Sequence, residues 1–381
     1  MLITGFIYTG GRRRDPLDSH LWSGIAHRLF GELAQRHRLH RAVGISVPLP
    51  QTFGLFLRYP HWSWDVVSER LQIAAPYREA LTEDVSRQLQ SGDLQGPCLS
   101  IGAYFDVPRI LDGRQKCFSY HDGCLAERLN SPLPAVPLSA REIDNTLEFE
   151  RRVYNSMERV LTFSQYMRDA IVKNYDIAPN RVAALGAGVN LDDIPEPALN
   201  KPYDSKEILF IGVEFERKGG PQLLEAFQAL RETHPSAVLH IVGPRNKLSI
   251  APPLETNVQY HGFVSKGDPG GRELLQKLFN QSCLFVMPSL YEPFGIAPLE
   301  AMANGIPAIL SNGWALPELV TPGVTGELVE VGSVSDLTDK MKALLSSPEL
   351  LKQMGERGRS EVLAKYTWNA VVDRLLAFME S

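Results

Sequence analysis

The chain has 381 residues, too many for one ordinary core, so two domains are expected. Hydrophobic residues make up 44% and charged residues 22%, a globular balance that excludes extended disorder. The net charge of −5 argues against a dedicated nucleic-acid binder.

In chain order, short apolar runs alternate with amphipathic stretches. Leu2–Tyr8 reads as a strand, and Trp22–Gln35 as a helix with one apolar face. Ala42–Val47 is a strand, Trp64–Leu89 a helix, and Cys98–Ala103 and Cys117–Tyr120 buried strands. Ala140–Ser156 is a helix, Val160–Ser164 a strand, Gln165–Asn174 a helix and Val182–Leu185 a strand. Such alternation predicts a parallel sheet covered on both faces. Pro195, Pro197 and Pro202 then fall among polar residues, which places a linker at about 189–206.

The pattern restarts with strand Ile208–Gly212, helix Pro221–Glu232 and strands Val238–Val242 and Val258–His261. Helix Leu274–Asn280, strand Cys283–Met287, helix Ile296–Ala303, strand Ala308–Leu310 and helix Asp336–Leu345 follow. Thr367 is a candidate N-cap for a last helix reaching Met379. The expected fold class is α/β, two Rossmann-like halves with a cleft between them.

Cys98, Cys117, Cys124 and Cys283 form no CxxC pair, which points away from a disulfide framework and toward a reducing cytoplasm. No apolar run reaches the roughly 18 residues of a spanning helix. Arg12, Arg13 and Arg14 follow the apolar start rather than precede it, unlike a secretory signal. Residues 1–60 carry eight Arg and no Lys, so this arginine run is a candidate peripheral contact with anionic lipid at the inner face of the membrane. An exposed loop whose charges are balanced elsewhere is the competing reading. Trp62 and Trp64 are candidates either for stacking on a sugar or for the core. With no Asp-x-Asp and no His-Glu-x-x-His, no metal is expected.

The segment from Met287 to Leu310 reads strand end, tight loop, helix, strand. Gly295 removes bulk at the turn, and Ile296, Ala297 and Leu299 offer backbone N–H groups at a helix N-terminus, a place suited to phosphate. Glu292 lies in the loop and Glu300 on the helix. Arg217 and Lys218 precede Gly219 and Gly220, where the backbone can approach a ligand. His121 closes a buried strand ahead of Asp122 and Gly123, at the end that faces a ligand in such sheets.

Glu292-x7-Glu300, within PSLYEPFGIAPLEAMANGIPAI, resembles the signature of glycosyltransferase family 4, retaining enzymes of the GT-B fold. The stretches Ile208 to Gly220, Leu239 to Gly243, Pro317 to Val320, Gly323 to Gly326 and Tyr366 to Trp368 are similar as well. In the first half the resemblance rests on Trp22-Ser23-Gly24, His121-Asp122, Phe163-Ser164 and Gly188-Val189-Asn190.

The resemblance implies that Glu292 holds donor-sugar hydroxyls and Glu300 the ribose diol. Gly295, Ile296 and Ala297, next to Phe294, would give backbone donors to the diphosphate. Lys218 would neutralise the leaving diphosphate. His121 would contact the donor sugar, and Ser23-Gly24 would meet the diphosphate; Gly10 and Gly11 compete for that role. Gly262 and Phe263 would border the base. Many members carry an Arg right after the glycine corresponding to Gly212. Here Val213 stands there, which leaves Arg217 as the candidate second cation.

The implied activity is metal-independent transfer of a hexose from a nucleotide diphosphate sugar to a saccharide or lipid-linked acceptor, by a front-face mechanism, in surface-polysaccharide synthesis. UDP-glucose is the first donor, GDP-mannose the second. A dinucleotide-binding dehydrogenase would need a G-x-G-x-x-G turn after a strand, and neither half has one. A catalytically silent nucleotide-binding partner subunit is the other competitor. In GT-B proteins the closing helix crosses back to the first domain, and 366–381 is expected to do the same.

Overall fold

A computed structural model describes residues 1–10, 15–18, 24–47, 54, 57, 64–90, 94–191, 194, 201–246, 248, 250 and 254–381. The chain forms two compact units, Met1–Ala187 with Val371–Ser381, and Gly188–Ala370. Most of the expected linker, 192–193 and 195–200, lies outside the described residues.

The first unit is built on β1 (Ile3–Tyr8), β2 (Leu39–Ile45), β3 (Cys98–Ile101), β4 (Cys117–His121), β5 (Arg159–Thr162) and β6 (Val182–Ala184). They form one six-stranded sheet in the order β2-β1-β3-β4-β5-β6. Every pairing is parallel. Strands β1, β3 and β4 are buried along their whole length. That is why they read as unbroken apolar runs rather than alternating ones.

Helices α1 (Ile25–Gln35), α2 (Trp64–Ile73), α3 (Ala75–Gln90), α4 (Val107–Leu111), α5 (Leu125–Asn130), α6 (Ala140–Ser156) and α7 (Gln165–Tyr175) connect the strands. Helix α6 starts with a capping box. The Ser139 side chain accepts from the Glu142 N–H, and the Glu142 carboxylate accepts from the Ser139 N–H. The single helix expected over Trp64–Leu89 is two. Pro76 has no N–H to continue the ladder, and the Ala75 N–H donates instead to Thr146 Oγ1 at 3.1 Å.

The second unit repeats the plan with β7 (Glu207–Ile211), β8 (Val238–Val242), β9 (Val258–Gly262), β10 (Leu284–Met287), β11 (Ala308–Ser311) and β12 (Gly326–Val329). Their order is β12-β11-β10-β7-β8-β9, again parallel throughout. Its helices are α8 (Gly220–Arg231), α9 (Pro269–Gln281), α10 (Ile296–Ala303), α11 (Val334–Leu345) and α12 (Pro348–Lys365). A last helix, α13 (Trp368–Glu380), leads the chain back into the first unit at Val371.

Thr367 Oγ1 accepts from the Ala370 N–H at 3.2 Å, so it caps α13 as expected. Val371, Val372, Leu375 and Met379 are buried. Within the first unit, the Arg374 guanidinium donates twice to the Leu185 carbonyl, at 2.9 and 2.7 Å. Arg36 pairs with Asp373 at 2.6 Å, and Arg159 lies over the Phe378 ring at 4.4 Å.

Two motifs of the resemblance prove to be packing devices of the second unit. Gly188 lies under the Trp368 indole, where a Cβ would stand 2.5 Å from the ring. Asn190 Oδ1 accepts from the indole N–H at 3.2 Å, and the Val189 N–H donates to the Tyr366 carbonyl at 2.8 Å.

Candidate active site

In the second sheet β7 and β10 are neighbours, and the winding reverses between them. Ligands of open α/β sheets bind outside the carboxyl ends of the strands at such a point. The segments that follow these two strands, 212–219 and 288–295, carry Arg217, Lys218, Glu292 and Gly295. Strand order alone therefore gathers residues more than 70 positions apart.

The two segments are tied together. The Leu290 N–H donates to the Arg217 carbonyl at 2.8 Å, and Arg217 Nη1 donates to the Tyr291 carbonyl at 2.8 Å. Gly219 adopts φ +75°, and a Cβ there would stand 2.0 Å from the Pro288 carbonyl oxygen. Only glycine allows this approach. It places Lys218 Nζ 2.5 Å from Glu292 Oε2 and 3.7 Å from Met287 Sδ.

Glu292 is 6% exposed and has a second cation, Arg217 Nη1, at 3.6 Å. Arg217 also pairs with Glu214 at 2.5 Å. The guanidinium is thus shared among two carboxylates and a carbonyl, whereas the Lys218 ammonium is held by one carboxylate. Val213 is 47% exposed and brings no charge. Of the two candidate cations, Lys218 is the less encumbered.

Helix α10 begins at Ile296 after Gly295, whose φ of +102° and ψ of 76° turn the chain sharply out of the loop. No acidic residue occupies its first turn, so the N–H groups of Ile296 and Ala297 point their positive dipole at the loop unopposed. Phe294 is buried and meets the Tyr366 ring edge-on at 6.3 Å, which supports the turn from below. Glu300 sits one turn further along and is only 1% exposed. Its carboxylate is paired with Lys266, a residue the sequence did not single out. The Asn304 amide donates to the Glu300 carbonyl at 2.9 Å and fixes the helix end.

Gly262 ends β9 with φ +67°, and Phe263 beyond it is 45% exposed. The Arg245 guanidinium stacks on the Phe263 ring at 3.9 Å, a cation–π contact. Tyr260 donates to the Pro244 or Asn246 carbonyl, each at 2.8 Å, which holds the Arg245 loop against β9. A flat, exposed aromatic with a cation over it is suited to a planar ring.

In the first unit, His121 is the last residue of β4, and among the described residues its buried Nε2 has no hydrogen-bond partner. The ring meets Tyr154 edge-on at 5.0 Å, and Tyr154 meets Tyr175 at 4.9 Å. Behind these rings lies a buried pair, Arg78 and Glu150, at 2.7 Å. Glu150 also accepts from the Tyr175 hydroxyl and, at 3.0 Å, from the Leu125 N–H. The Ala126 N–H donates to the Tyr175 hydroxyl at 3.1 Å. This network anchors the start of α5, only a few residues beyond His121.

Burial, and then the charge of Arg78, lower the His121 imidazole from its ordinary value to about 3. Below roughly pH 6.5 the unfolded chain takes up a proton at His121 that the folded unit refuses until about pH 3. Stability conferred by the neutral ring is therefore intact above pH 6.5 and falls as the pH drops through that window, by about 1.4 kcal/mol per pH unit. Urea unfolding at pH 7.5 and 5.0 should show a difference smaller by about 2 kcal/mol in His121→Asn than in the wild type. Equal differences in both proteins would rule out a neutral buried imidazole.

Gly24 caps α1 with φ +85°, and Gly10 follows β1 with φ +82°. Both are left-handed, so backbone geometry does not choose between them. Gly11, Arg12, Arg13, Arg14, Trp22, Ser23 and Trp62 lie outside the described residues. Among the described residues no helix is long and apolar enough to cross a membrane.

Residues 193–361 match the family model described as glycosyl transferases group 1. The chain is 28% identical over 244 residues to the MMP alpha-(1->4)-mannosyltransferase of Mycolicibacterium hassiacum, covering 61% of this chain and 56% of that protein. It spans less than two thirds of the length of the first curated relatives it matches. Among solved structures it resembles the sucrose-phosphate synthase of Thermosynechococcus elongatus, with a TM-score of 0.71 and 17% identity over 100% of this chain and 98% of the other. It also resembles WaaG, a glycosyltransferase involved in lipopolysaccharide biosynthesis, with a TM-score of 0.68 and 16% identity over 97% and 98%. With the two parallel six-stranded sheets, these likenesses show the GT-B fold.

Proposed function

We propose that the protein is a retaining glycosyltransferase that moves a hexose from a nucleoside diphosphate sugar to a hydroxyl of a saccharide or lipid-linked acceptor, in surface-polysaccharide synthesis. The observation that carries this reading is the convergence of Lys218, Glu292 and the N-terminus of α10 where the winding of the second sheet reverses. The match to the group 1 model over that unit and the glycosyltransferase relative support it.

In the reaction the bond from sugar C1 to the diphosphate oxygen breaks and a bond from the acceptor oxygen to C1 forms. The acceptor proton passes to the departing diphosphate. About one unit of negative charge develops on that leaving group. Lys218 and the N–H groups of Ile296 and Ala297 are assigned to stabilising it. Glu292 is assigned to sugar hydroxyls, Glu300 to the ribose diol, and Phe263 with Arg245 to the base. On the first unit, His121 is assigned to the donor sugar, as a neutral ring with an unused nitrogen.

UDP-glucose is the first donor. GDP-mannose is the second, and the mannosyltransferase relative supports keeping it. Arg12, Arg13 and Arg14 are assigned to a peripheral contact with anionic lipid. A thermal-shift screen of UDP, GDP, ADP and their sugars, followed by NMR of the product, tests the reading. A nucleotide-dependent rise in melting temperature and a product anomer of the donor's configuration are expected. An inverted product overturns the retaining assignment. Nucleotide binding with no transfer would favour a silent partner subunit.

A further inference from the structure

The two carboxylates of the signature are both paired with lysines. Glu292 is paired with Lys218, and Glu300 with Lys266, a residue outside the signature. Lys266 is not a loose surface cation. Its carbonyl accepts from Arg272 Nη1 at 2.9 Å. The Asp268 N–H donates to the Ser265 carbonyl at 3.2 Å, and the Gly267 N–H to Ser265 Oγ at 3.2 Å. Gly271 lies so close beneath this turn that a Cβ would stand 2.2 Å from the Ser265 carbonyl oxygen. Asp268 caps α9, accepting from the Gly271 N–H at 3.0 Å. The turn is therefore braced on a helix start, and the lysine leaves it in a fixed direction.

The side chain of Lys266 is 41% exposed, whereas the carboxylate it meets is buried. The ammonium binds Oε1 of Glu300, which leaves Oε2 for a further donor. Held at Oε1 by the lysine, the buried carboxylate presents Oε2 in a set direction.

We propose that Lys266 is a positioning residue for sugar selectivity: its ammonium holds the Glu300 carboxylate turned so that a ribose 2′-hydroxyl, but not a 2′-deoxyribose, gains a charge-assisted hydrogen bond. This rests on the assignment of Glu300 to the ribose diol. It gives the protein a device for rejecting deoxynucleotide sugars that acts through a residue outside the signature.

The test is calorimetric binding of UDP and GDP, each against its 2′-deoxy form, to wild type, Lys266→Met, Lys266→Arg, Glu300→Gln and the Lys266→Met/Glu300→Gln double variant. The wild type should prefer the ribonucleotide by about tenfold or more. Lys266→Met should lose most of that preference, weakening the ribonucleotide more than its 2′-deoxy form, which keeps only the 3′-hydroxyl contact. Lys266→Arg should restore it in part. The double variant should match Glu300→Gln, because the two residues act as one unit. It carries a neutral amide at position 300, so its folding does not depend on the missing lysine. Equal weakening of ribo and 2′-deoxy nucleotides by Lys266→Met overturns the proposal, as does additive loss in the double variant. Preference lost in Glu300→Gln but kept in Lys266→Met overturns the role of Lys266 alone. Preference kept in Glu300→Gln removes the assignment of Glu300, and this inference with it.

Discussion

Lys218→Ala is expected to lower kcat by about ten- to a hundredfold and to weaken a nucleoside diphosphate more than the monophosphate. The side chain runs along Gly212, where a Cβ would stand 2.4 Å from Lys218 Cδ. The ammonium is thereby confined beside Glu292 and the neighbouring loop. A single charge-assisted contact expressed in the transition state is worth about 1.5–3 kcal/mol, which gives that range of rate. Removing it leaves Arg217 at 3.6 Å as the cation on Glu292, so folding should suffer less than catalysis. Steady-state kinetics and calorimetry with UDP and UMP check both parts. Equal loss of affinity for the two nucleotides would place Lys218 away from the leaving phosphate.

Glu150→Ala should destabilise the first unit by about 3–5 kcal/mol, because it strands a buried guanidinium. Among the described residues Arg78 would keep the Gln72 carbonyl at 3.1 Å, the Ala103 carbonyl at 3.3 Å and the Tyr104 and Phe149 rings at 5.2 and 6.0 Å. The Leu125 N–H and the Tyr175 hydroxyl would lose their acceptor together. An Arg78→Met/Glu150→Leu variant should recover much of the loss, since replacing both members of a buried pair by apolar groups is often neutral. Urea midpoints of the three proteins decide the matter. A loss below about 1 kcal/mol in Glu150→Ala would mean that water reaches the pair. If the pair also holds the chain beyond His121 in place, Glu150→Ala should lower turnover even where the protein is fully folded.

The residues assigned to the donor stand out in the sequence because they are local. Glu292, Gly295 and Glu300 fall within nine positions of one strand–turn–helix unit. Strands β1, β3, β4, β10 and β11 were legible to within a few residues because both their faces are covered, so burial is continuous along them. Lys266 was invisible. It lies 34 positions from Glu300, and its role depends on how the turn after β9 packs on α9. Arg78 and Glu150 are 72 positions apart on helices that otherwise look amphipathic. Helix α12 was passed over because its apolar face is thin. Gly355 and Gly358 sit on that face, and Gly355 comes so near α10 that a Cβ would stand 2.1 Å from the Gly305 carbonyl oxygen. Close packing there replaces the large side chains that a periodicity search detects. The helix α4 is only five residues long, and β12 only four, too short for a period to register.

The return of the chain to the first unit at Val371 bears on how the protein is made. A ribosome emits residues 1–187 first, yet the segment that covers Leu185 and pairs with Arg36 is the last part of that unit to be made. The second unit is continuous in sequence and can assemble from its own residues, whereas the first is incomplete until 371–381 follow it. Until α13 docks, the nascent first unit carries an apolar strip that Val371, Val372, Leu375 and Met379 will later cover. During that interval it is a natural client for a chaperone.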